Sequence, residues 1–202
     1  NSQDFENILK NIKNHYNPIM KKALESSPPQ STISNELNDV YSPNETKIIL
    51  PKNNKLFNRR FVDAISDALN EKLSNDEKVL IMGQDIAEYG GVFKVTEGFL
   101  DKFGSDRIRN TPIIESGIIG TAMGLALKGF KPIVEMQFAD FVSVGFNQII
   151  NNLAKNYYRW NSAVNVTLRM PTGGGIGAGP FHSQSTEAWF FHVPGLKIIY
   201  PS

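Results

Sequence analysis

Cysteine and long hydrophobic runs are both absent from this sequence. Without a thiol the chain can form no disulfide, no thiolate metal site and no cysteine nucleophile, which agrees with an expected cytoplasmic location. The longest apolar run, residues 117–127, is shorter than the ~20 residues that a membrane-spanning helix needs. Residues 1–6 show no basic segment leading into an apolar core, so we expect neither a signal peptide nor a membrane partner.

An excess of charge of either sign is lacking as well. The sequence has 21 basic and 20 acidic residues, a formal net charge of +1, and no basic stripe. We therefore expect no nucleic-acid partner. With 41% hydrophobic residues in a chain of 202, there is enough apolar material for a globular core.

The first part of the chain differs in composition from the rest. Its apolar residues fit one helical face, which the Asn-Pro pair at 17–18 is expected to interrupt. Residues 26–32 are rich in serine and proline, as is typical of a linker. We predict a helical tail and polar linker over residues 1–55 and a globular domain over residues 56–202.

Short apolar runs alternate with helical patterns in residues 56–202. Four runs are typical of buried strands: 79–82, 132–136, 164–170 and 196–200. Helices are predicted from a cap at Asn58 to residue 73, over 93–103, after Glu115, over 144–160 and, briefly, near 186–191. This alternation predicts an α/β fold with a mostly parallel sheet and helices on both faces. Because the sequence stops directly after the last run, we expect the domain to be truncated at its C-terminus.

One acid, Glu115, stands in an otherwise apolar, small-residue stretch from Thr111 to Gly124. A buried carboxylate is costly unless a partner pairs with it or a proton neutralises it. An acid at the N-terminus of a buried helix is therefore a candidate functional group.

Glycine occurs in two patterns of interest. The run at 173–179 fits neither G-x-G-x-x-G nor a phosphate loop with Gly-Lys-Ser/Thr, which favours a mobile loop that lets backbone approach a neighbour closely. The helix at 117–124 has small residues on one face, with Gly120 and Gly124 one turn apart. That face packs either against another subunit or against the chain's own sheet, and the sequence leaves both open.

Two further candidates follow predicted elements. His182 lies between the glycine loop and a helix start, where it could move protons, although a lone loop histidine is more often structural. Phe138, Asp140 and Phe141 follow the second predicted strand. Aromatic rings at the carboxyl end of a strand either wall a ligand pocket or belong to the core.

Taken in order, these segments resemble one known family. The matching stretches are 83–87, 91–96, 107–112, 115–120, 137–141 and 182–185. They resemble the β component of the thiamine-diphosphate-dependent 2-oxoacid dehydrogenases, the E1 decarboxylating enzymes. The segment 137–141 is more similar to the branched-chain (2-oxoisovalerate) members than to the pyruvate members. The stretch 38–43 is similar to the junction of fused enzymes, so residues 1–55 would be the end of an α-type region.

The resemblance implies a role for each matching residue. Glu115 would be catalytic, because its hydrogen bond to N1′ of the cofactor's aminopyrimidine favours the imino tautomer that activates C2. Phe141 would pack on the pyrimidine, and Ile113 and Gln137 would line the same pocket. His182 would act near the substrate and the incoming lipoyl group.

The resemblance also implies cofactors and partners. The whole enzyme would decarboxylate a 2-oxoacid on thiamine diphosphate and pass the acyl group to a lipoyl-bearing E2. Val164, Val166 and Thr167 match part of a potassium loop, and the helix at 117–124 would support self-association. The family's diphosphate and Mg²⁺ site uses a Gly-Asp-Gly signature of the α-type part, which does not occur here. We therefore expect this chain to be inactive alone.

Two alternative functions stay open at this point. A transketolase-type or deoxyxylulose-phosphate-synthase-type enzyme would share the fold but act on sugar phosphates. A non-catalytic assembly module would hold Glu115 in a salt bridge and bind no thiamine diphosphate.

Overall fold

The computed structural model describes residues 2–44, 48–51 and 56–201. The chain divides into two compact units, Asn1–Glu36 and Leu37–Ser202. The parts of the predicted linker at 45–47 and 52–55 lie outside the described residues. None of the helices in the described part of the chain is both long enough and apolar enough to cross a membrane.

The first unit is dominated by one helix. Helix α1 runs Ser2–Glu25 and has no buried residue. It continues through Pro18, so the predicted interruption is wrong. Proline's fixed φ is one that a helix accepts, and its cost here is a lost backbone hydrogen bond rather than a chain break. A short helix, α2, follows at Ile33–Asn38.

A four-stranded sheet forms the centre of the second unit. Its strands are β1 Val79–Gly83, β2 Ile108–Asn110, β3 Lys131–Glu135 and β4 Thr167–Arg169. The strand order is β2-β1-β3-β4, and each pairing is parallel. Every residue of β1 is buried, as expected for a central strand that is covered on both faces. The predicted parallel α/β sheet is confirmed.

Helices cover both faces of this sheet, as predicted. Alternate residues of a strand point to opposite faces. Val79 and Ile81 pack in one cluster with α3 (Phe61–Asn75) and α4 (Phe99–Phe103). Leu80 and Met82 pack in another with α5, Glu115–Leu127. The alternation along β1 therefore separates two apolar layers.

Three helical segments follow β3, and the first two of them pack against α5. They are a 3-10 helix at Ala139–Gly145, a π-helix at Gln148–Leu153 and α6 at Asn156–Trp160. A single helix was predicted over 144–160, and the structure corrects it to this series. A Cβ on Gly145 would collide with the Ile119 side chain of α5, so glycine permits the close approach of the two segments.

Two other predicted helices have different limits in the structure. Helix α3 begins at Phe61 after an extended Arg60, and the expected cap at Asn58 plays no part. The helix predicted over 93–103 is confined to α4. Lys94 has a φ of 58°, a left-handed conformation that an α-helix does not contain.

The last predicted strand is wrong. Residues 196–200 are irregular, and Ile199 is 83% exposed. An apolar run becomes a strand only where another edge pairs with its backbone, and no strand of the described sheet does so here. The sheet contains instead one strand that was not predicted, β2. Its three residues include Arg109 and Asn110 and carry no strand pattern of their own.

Candidate active site

Glu115 is the first residue of α5 and is only 8% exposed. The chain enters the helix from Ile114, whose φ is −153° and whose side chain cannot cap the first turn. Among the described residues, no hydrogen bond or ion pair reaches the Glu115 carboxylate. The free N–H groups and the dipole of a helix N-terminus favour negative charge at this place. The carboxylate is therefore available to a ligand.

The 3-10 helix after β3 brings aromatic rings to the end of the sheet where Glu115 lies. Its last residue, Gly145, is so close to α5 that a Cβ there would lie 3.6 Å from the backbone oxygen of Glu115. Phe141 belongs to this segment and meets Phe138 edge-on, with the ring centroids 5.8 Å apart. Both rings follow the carboxyl end of β3, the end at which open parallel sheets bind ligands.

His182 joins these rings in an aromatic cluster. Its imidazole is half-buried and lies edge-on to Phe138 at 4.9 Å and to Phe141 at 5.5 Å between centroids. Phe93, from the loop after β1, completes the cluster at 5.9 Å from Phe138. The tertiary structure thus brings together His182 and Phe141, which the sequence suggested separately.

The glycine-rich loop that precedes and includes His182 is closed at its base. The Gln184 carbonyl accepts hydrogen bonds from the Gly173 N–H and from Thr172 Oγ1, each at 3.0 Å. The Gln184 N–H donates to Asp140 Oδ1 at 3.2 Å. Residues 173–184 therefore form a compact surface loop whose two ends meet.

Gln137 is held by the strand-end loop that follows β1. Its Nε2 donates to Asp85 Oδ2 at 3.0 Å. Asp85 has a φ of 57°, a left-handed conformation that costs a non-glycine residue about 1 kcal/mol. Such strained positions cluster at functional sites. Among the described residues no donor reaches the Gln137 side-chain oxygen, so that oxygen can accept a hydrogen bond from a ligand.

An ion pair that the sequence reasoning missed lies at the ends of β3 and β4. Arg169 Nε is 3.1 Å from Glu135 Oε2, and the two side chains are only 18% and 6% exposed. The two atoms are at ion-pair distance but are not aligned as a hydrogen bond. Burial raises the pKa of Glu135, and the positive charge of Arg169 opposes that rise. The sequence did contain a signal for this ion pair, because each of the apolar runs 132–136 and 164–170 has a charged residue near its end.

The remaining predicted residues are not part of the aromatic cluster. Ile113 precedes α5 and is 83% exposed. Val164, Val166 and Thr167 lie at the amino end of β4, the end of the strand opposite to the cluster. Within the described ranges, no group of three or more His, Asp or Glu side chains is arranged to hold a metal ion. A potassium site built from backbone oxygens stays a prediction.

Comparison with known proteins gives a family match over most of the chain. The profile of the family described as "Transketolase, pyrimidine binding domain" matches residues 59–202. The chain is 50% identical over 143 residues to the 3-methyl-2-oxobutanoate dehydrogenase subunit beta of Mycobacterium tuberculosis, covering 70% of this chain and 41% of that protein. It is 45% identical over 144 residues to the 2-oxoisovalerate dehydrogenase subunit beta of Bacillus subtilis, covering 70% and 44%.

A pyruvate enzyme and a solved structure also match. The pyruvate dehydrogenase E1 component subunit beta of Leifsonia xyli is 48% identical over 143 residues, with 70% of this chain and 42% of that protein covered. A solved structure described as a split gene transketolase, inactive beta4 tetramer, matches with a TM-score of 0.49 at 22% identity, covering 65% and 39% of the two chains. The chain spans 41–44% of the length of these three curated relatives.

Proposed function

Since this chain belongs to the family of transketolase pyrimidine-binding domains, we propose that it forms the aminopyrimidine half of a thiamine-diphosphate site in the E1 component of a 2-oxoacid dehydrogenase. The observation that carries this proposal is Glu115. It is a buried carboxylate that has no partner among the described residues and lies at the ligand-binding end of a parallel sheet.

Three other predicted residues have side chains of a kind that suits an aminopyrimidine. The ring is flat and largely apolar and has one nitrogen, N1′, that needs an acidic partner. Phe141 offers an aromatic surface for the ring, and the exposed Ile113 side chain offers an apolar one that a bound cofactor would cover. Gln137 offers a carbonyl oxygen to the exocyclic amine. These side-chain types support the proposed aminopyrimidine site.

Thiamine diphosphate, when bound, supplies a carbon nucleophile for the 2-oxo carbon and accepts the electrons that decarboxylation releases. Glu115 would hold a proton at N1′ of the bound cofactor. The aromatic cluster would cover part of the reacting face. His182, half-buried at the edge of that cluster, moves a proton at the substrate and at the incoming lipoyl group.

The rest of the site comes from partners. An α-type region would hold the diphosphate and Mg²⁺, because the Gly-Asp-Gly signature is absent from this sequence. Residues 1–55 would be the end of such a region, fused to the pyrimidine-binding domain at 56–202. A lipoyl-bearing E2 would accept the acyl group. The amino end of β4, with Val164, Val166 and Thr167, would contribute to a potassium site. Location in the cytoplasm belongs to the same proposal.

Helix α5 is the proposed surface for self-association. A Cβ on Gly120 would lie 3.6 Å from the Gln148 side chain, so this part of the glycine face packs inside the domain. Gly124 has no heavy atom within 4 Å of its Cβ position and is exposed. The Gly124 end of the face can therefore accept a helix from another subunit.

The substrate that we propose is a branched-chain 2-oxoacid. The relatives named for 3-methyl-2-oxobutanoate and for 2-oxoisovalerate, two names of one compound, are 50% and 45% identical to this chain, and the relative named for pyruvate is 48% identical. Identity alone does not separate these substrates. The preference rests on the segment 137–141, which contributes both Gln137 and Phe141 to the site. Competition between 2-oxoisovalerate and pyruvate would test it directly.

The substitution Glu115→Gln tests the central role. The change is made in the complete protein with its α-type region, because this chain carries only part of the site. We expect decarboxylation to fall by roughly a hundredfold or more, as when a positioned acid or base is lost. The control is Glu71→Gln, on the exposed face of α3, which should leave the rate unchanged. If the Glu115→Gln variant decarboxylated at the wild-type rate, the proposed catalytic role of Glu115 would be wrong.

The same preparation separates the alternative functions. A transketolase-type enzyme would turn over sugar phosphates and ignore 2-oxoacids. An assembly module would show no binding in a thiamine diphosphate titration followed by calorimetry.

A further inference from the structure

Asp140 is a buried acid that the proposed chemistry does not use. It is 8% exposed and lies in the 3-10 helix between the two rings Phe138 and Phe141. Its Oδ1 accepts the Gln184 N–H at 3.2 Å, while its Oδ2 is buried without a hydrogen-bond partner among the described residues. An incompletely satisfied buried carboxylate costs stability. Stability therefore does not explain its presence.

Gln184, the residue that Asp140 binds, joins the two ends of the glycine-rich loop. Its carbonyl accepts from Gly173 and Thr172, and its N–H is the group that Asp140 engages. The neighbouring Ala139 binds the flanks of the same loop. Its N–H donates to the Pro171 carbonyl at 2.8 Å, and its carbonyl accepts from Thr186 Oγ1 at 3.4 Å. Residues 139–140 therefore anchor both ends of the loop.

The anchor and the aromatic rings belong to one short segment of chain. Phe138 and Phe141 flank residues 139–140, and His182 is two residues before Gln184. The loop has five glycines between 173 and 179, so its own backbone resists displacement weakly. The position of His182 against the two rings consequently depends on how firmly Gln184 is held.

We propose that Asp140 is a positioning residue, which fixes the His182 imidazole against Phe138 and Phe141 by binding the Gln184 N–H at the base of the loop. Its importance for acyl transfer rests on the function proposed above for His182. The anchoring itself depends only on the contacts described here. Two separate measurements can therefore test the two parts.

The first measurement is hydrogen–deuterium exchange of the complete protein with its α-type region, read on a peptide spanning residues 182–187. In Asp140→Ala the Gln184 amide loses its acceptor, and its exchange should become about tenfold faster. Asp140→Asn should exchange like the wild type. Its carbonyl oxygen still accepts the N–H, and its amide group replaces an oxygen that has no partner to lose.

Val142→Ala is the matched control for this measurement. Val142 is fully buried in the same 3-10 helix but makes apolar contacts only, so the variant weakens the helix without touching the base of the loop. It should leave Gln184 exchange unchanged. The proposal is overturned if Asp140→Ala leaves that exchange unchanged, if Asp140→Asn fails to restore it, or if Val142→Ala raises it equally.

The second measurement compares two activities of the same variants. Acyl transfer to a lipoyl acceptor should fall by about tenfold relative to decarboxylation with an artificial electron acceptor in Asp140→Ala, and Asp140→Asn should restore the ratio. An unchanged ratio in Asp140→Ala overturns the link to His182. A wild-type protein without thiamine-diphosphate-dependent decarboxylation would refute the proposed function instead. The exchange result would then decide the anchoring role alone.

Discussion

Replacing Arg169 with methionine should destabilise the sheet domain strongly. The change removes one member of a buried ion pair and leaves the Glu135 carboxylate, whose side chain is 6% exposed, without its opposite charge. Loss of one partner from such a pair typically costs about 3–5 kcal/mol, because an uncompensated charge stays buried. For a domain of this size that corresponds to a lowering of the melting temperature by roughly 10 °C.

The loss of stability in Arg169→Met should also depend on pH in a definite direction. Burial holds the pKa of Glu135 above its ordinary value of 4.5, and Arg169 limits that rise. A carboxyl whose pKa is raised by folding stabilises the native state below its unfolded pKa, and that contribution is lost as the pH rises through the folded pKa. Arg169→Met raises the folded pKa further. The loss of stability of Arg169→Met relative to the wild type should therefore be larger at pH 8 than at pH 5.

Scanning calorimetry of the complete protein at both pH values is the assay. The double variant Glu135→Gln/Arg169→Met should recover most of the lost stability, because it removes the buried charge itself. Arg109→Met is the control: Arg109 and Asp106 form an ion pair at 3.3 Å, with side chains 53% and 96% exposed. Arg109→Met should lower the free energy of unfolding by less than ~1 kcal/mol. The buried ion pair would not have the proposed effect if Arg169→Met lost no more stability than Arg109→Met, or if its loss of stability were the same at both pH values.

Two further predictions concern a strand contact and the loop histidine. Gly83→Ala should lower the melting temperature by an amount equivalent to roughly 1–3 kcal/mol, because its Cβ would collide with the backbone oxygen of Glu135 on β3. Gly175→Ala, whose Cβ would meet no heavy atom within 4 Å, should not lower it, and equal melting of the two variants would contradict the steric account. His182→Ala should reduce acyl transfer to lipoyl groups more than thiamine diphosphate affinity, measured by titration. A defect mainly in affinity would count against the proposed role.

Local patterns were enough to predict the central features of the domain. The run at 79–82 is apolar throughout, which is how a strand covered on both faces looks in any sequence. The small-residue stretch after Glu115 predicted a buried helix with an acid at its start, and α5 begins at that residue with the side chain 8% exposed. These predictions succeed because helical and strand patterns are properties of neighbouring residues.

Pairing between distant segments could not be predicted in the same way. The apolar run at 196–200 is irregular in the structure, whereas the polar-ended segment Ile108–Asn110 pairs with β1, because a strand needs a partner edge as well as a pattern. The ion pair between Glu135 and Arg169 likewise joins residues that are neighbours only through the register of β3 and β4.

The parallel α/β class, the family and the acid at the start of α5 could all be predicted from the sequence, since each depends on runs of neighbouring residues. The contacts of His182 with Phe138 and Phe141, and the hydrogen bond from the Gln184 backbone to Asp140, were found only in the folded domain. Both contacts depend on where a glycine-rich loop closes against a sheet. That closure is set by hydrogen bonds between segments far apart in the chain, about which local sequence patterns carry no information.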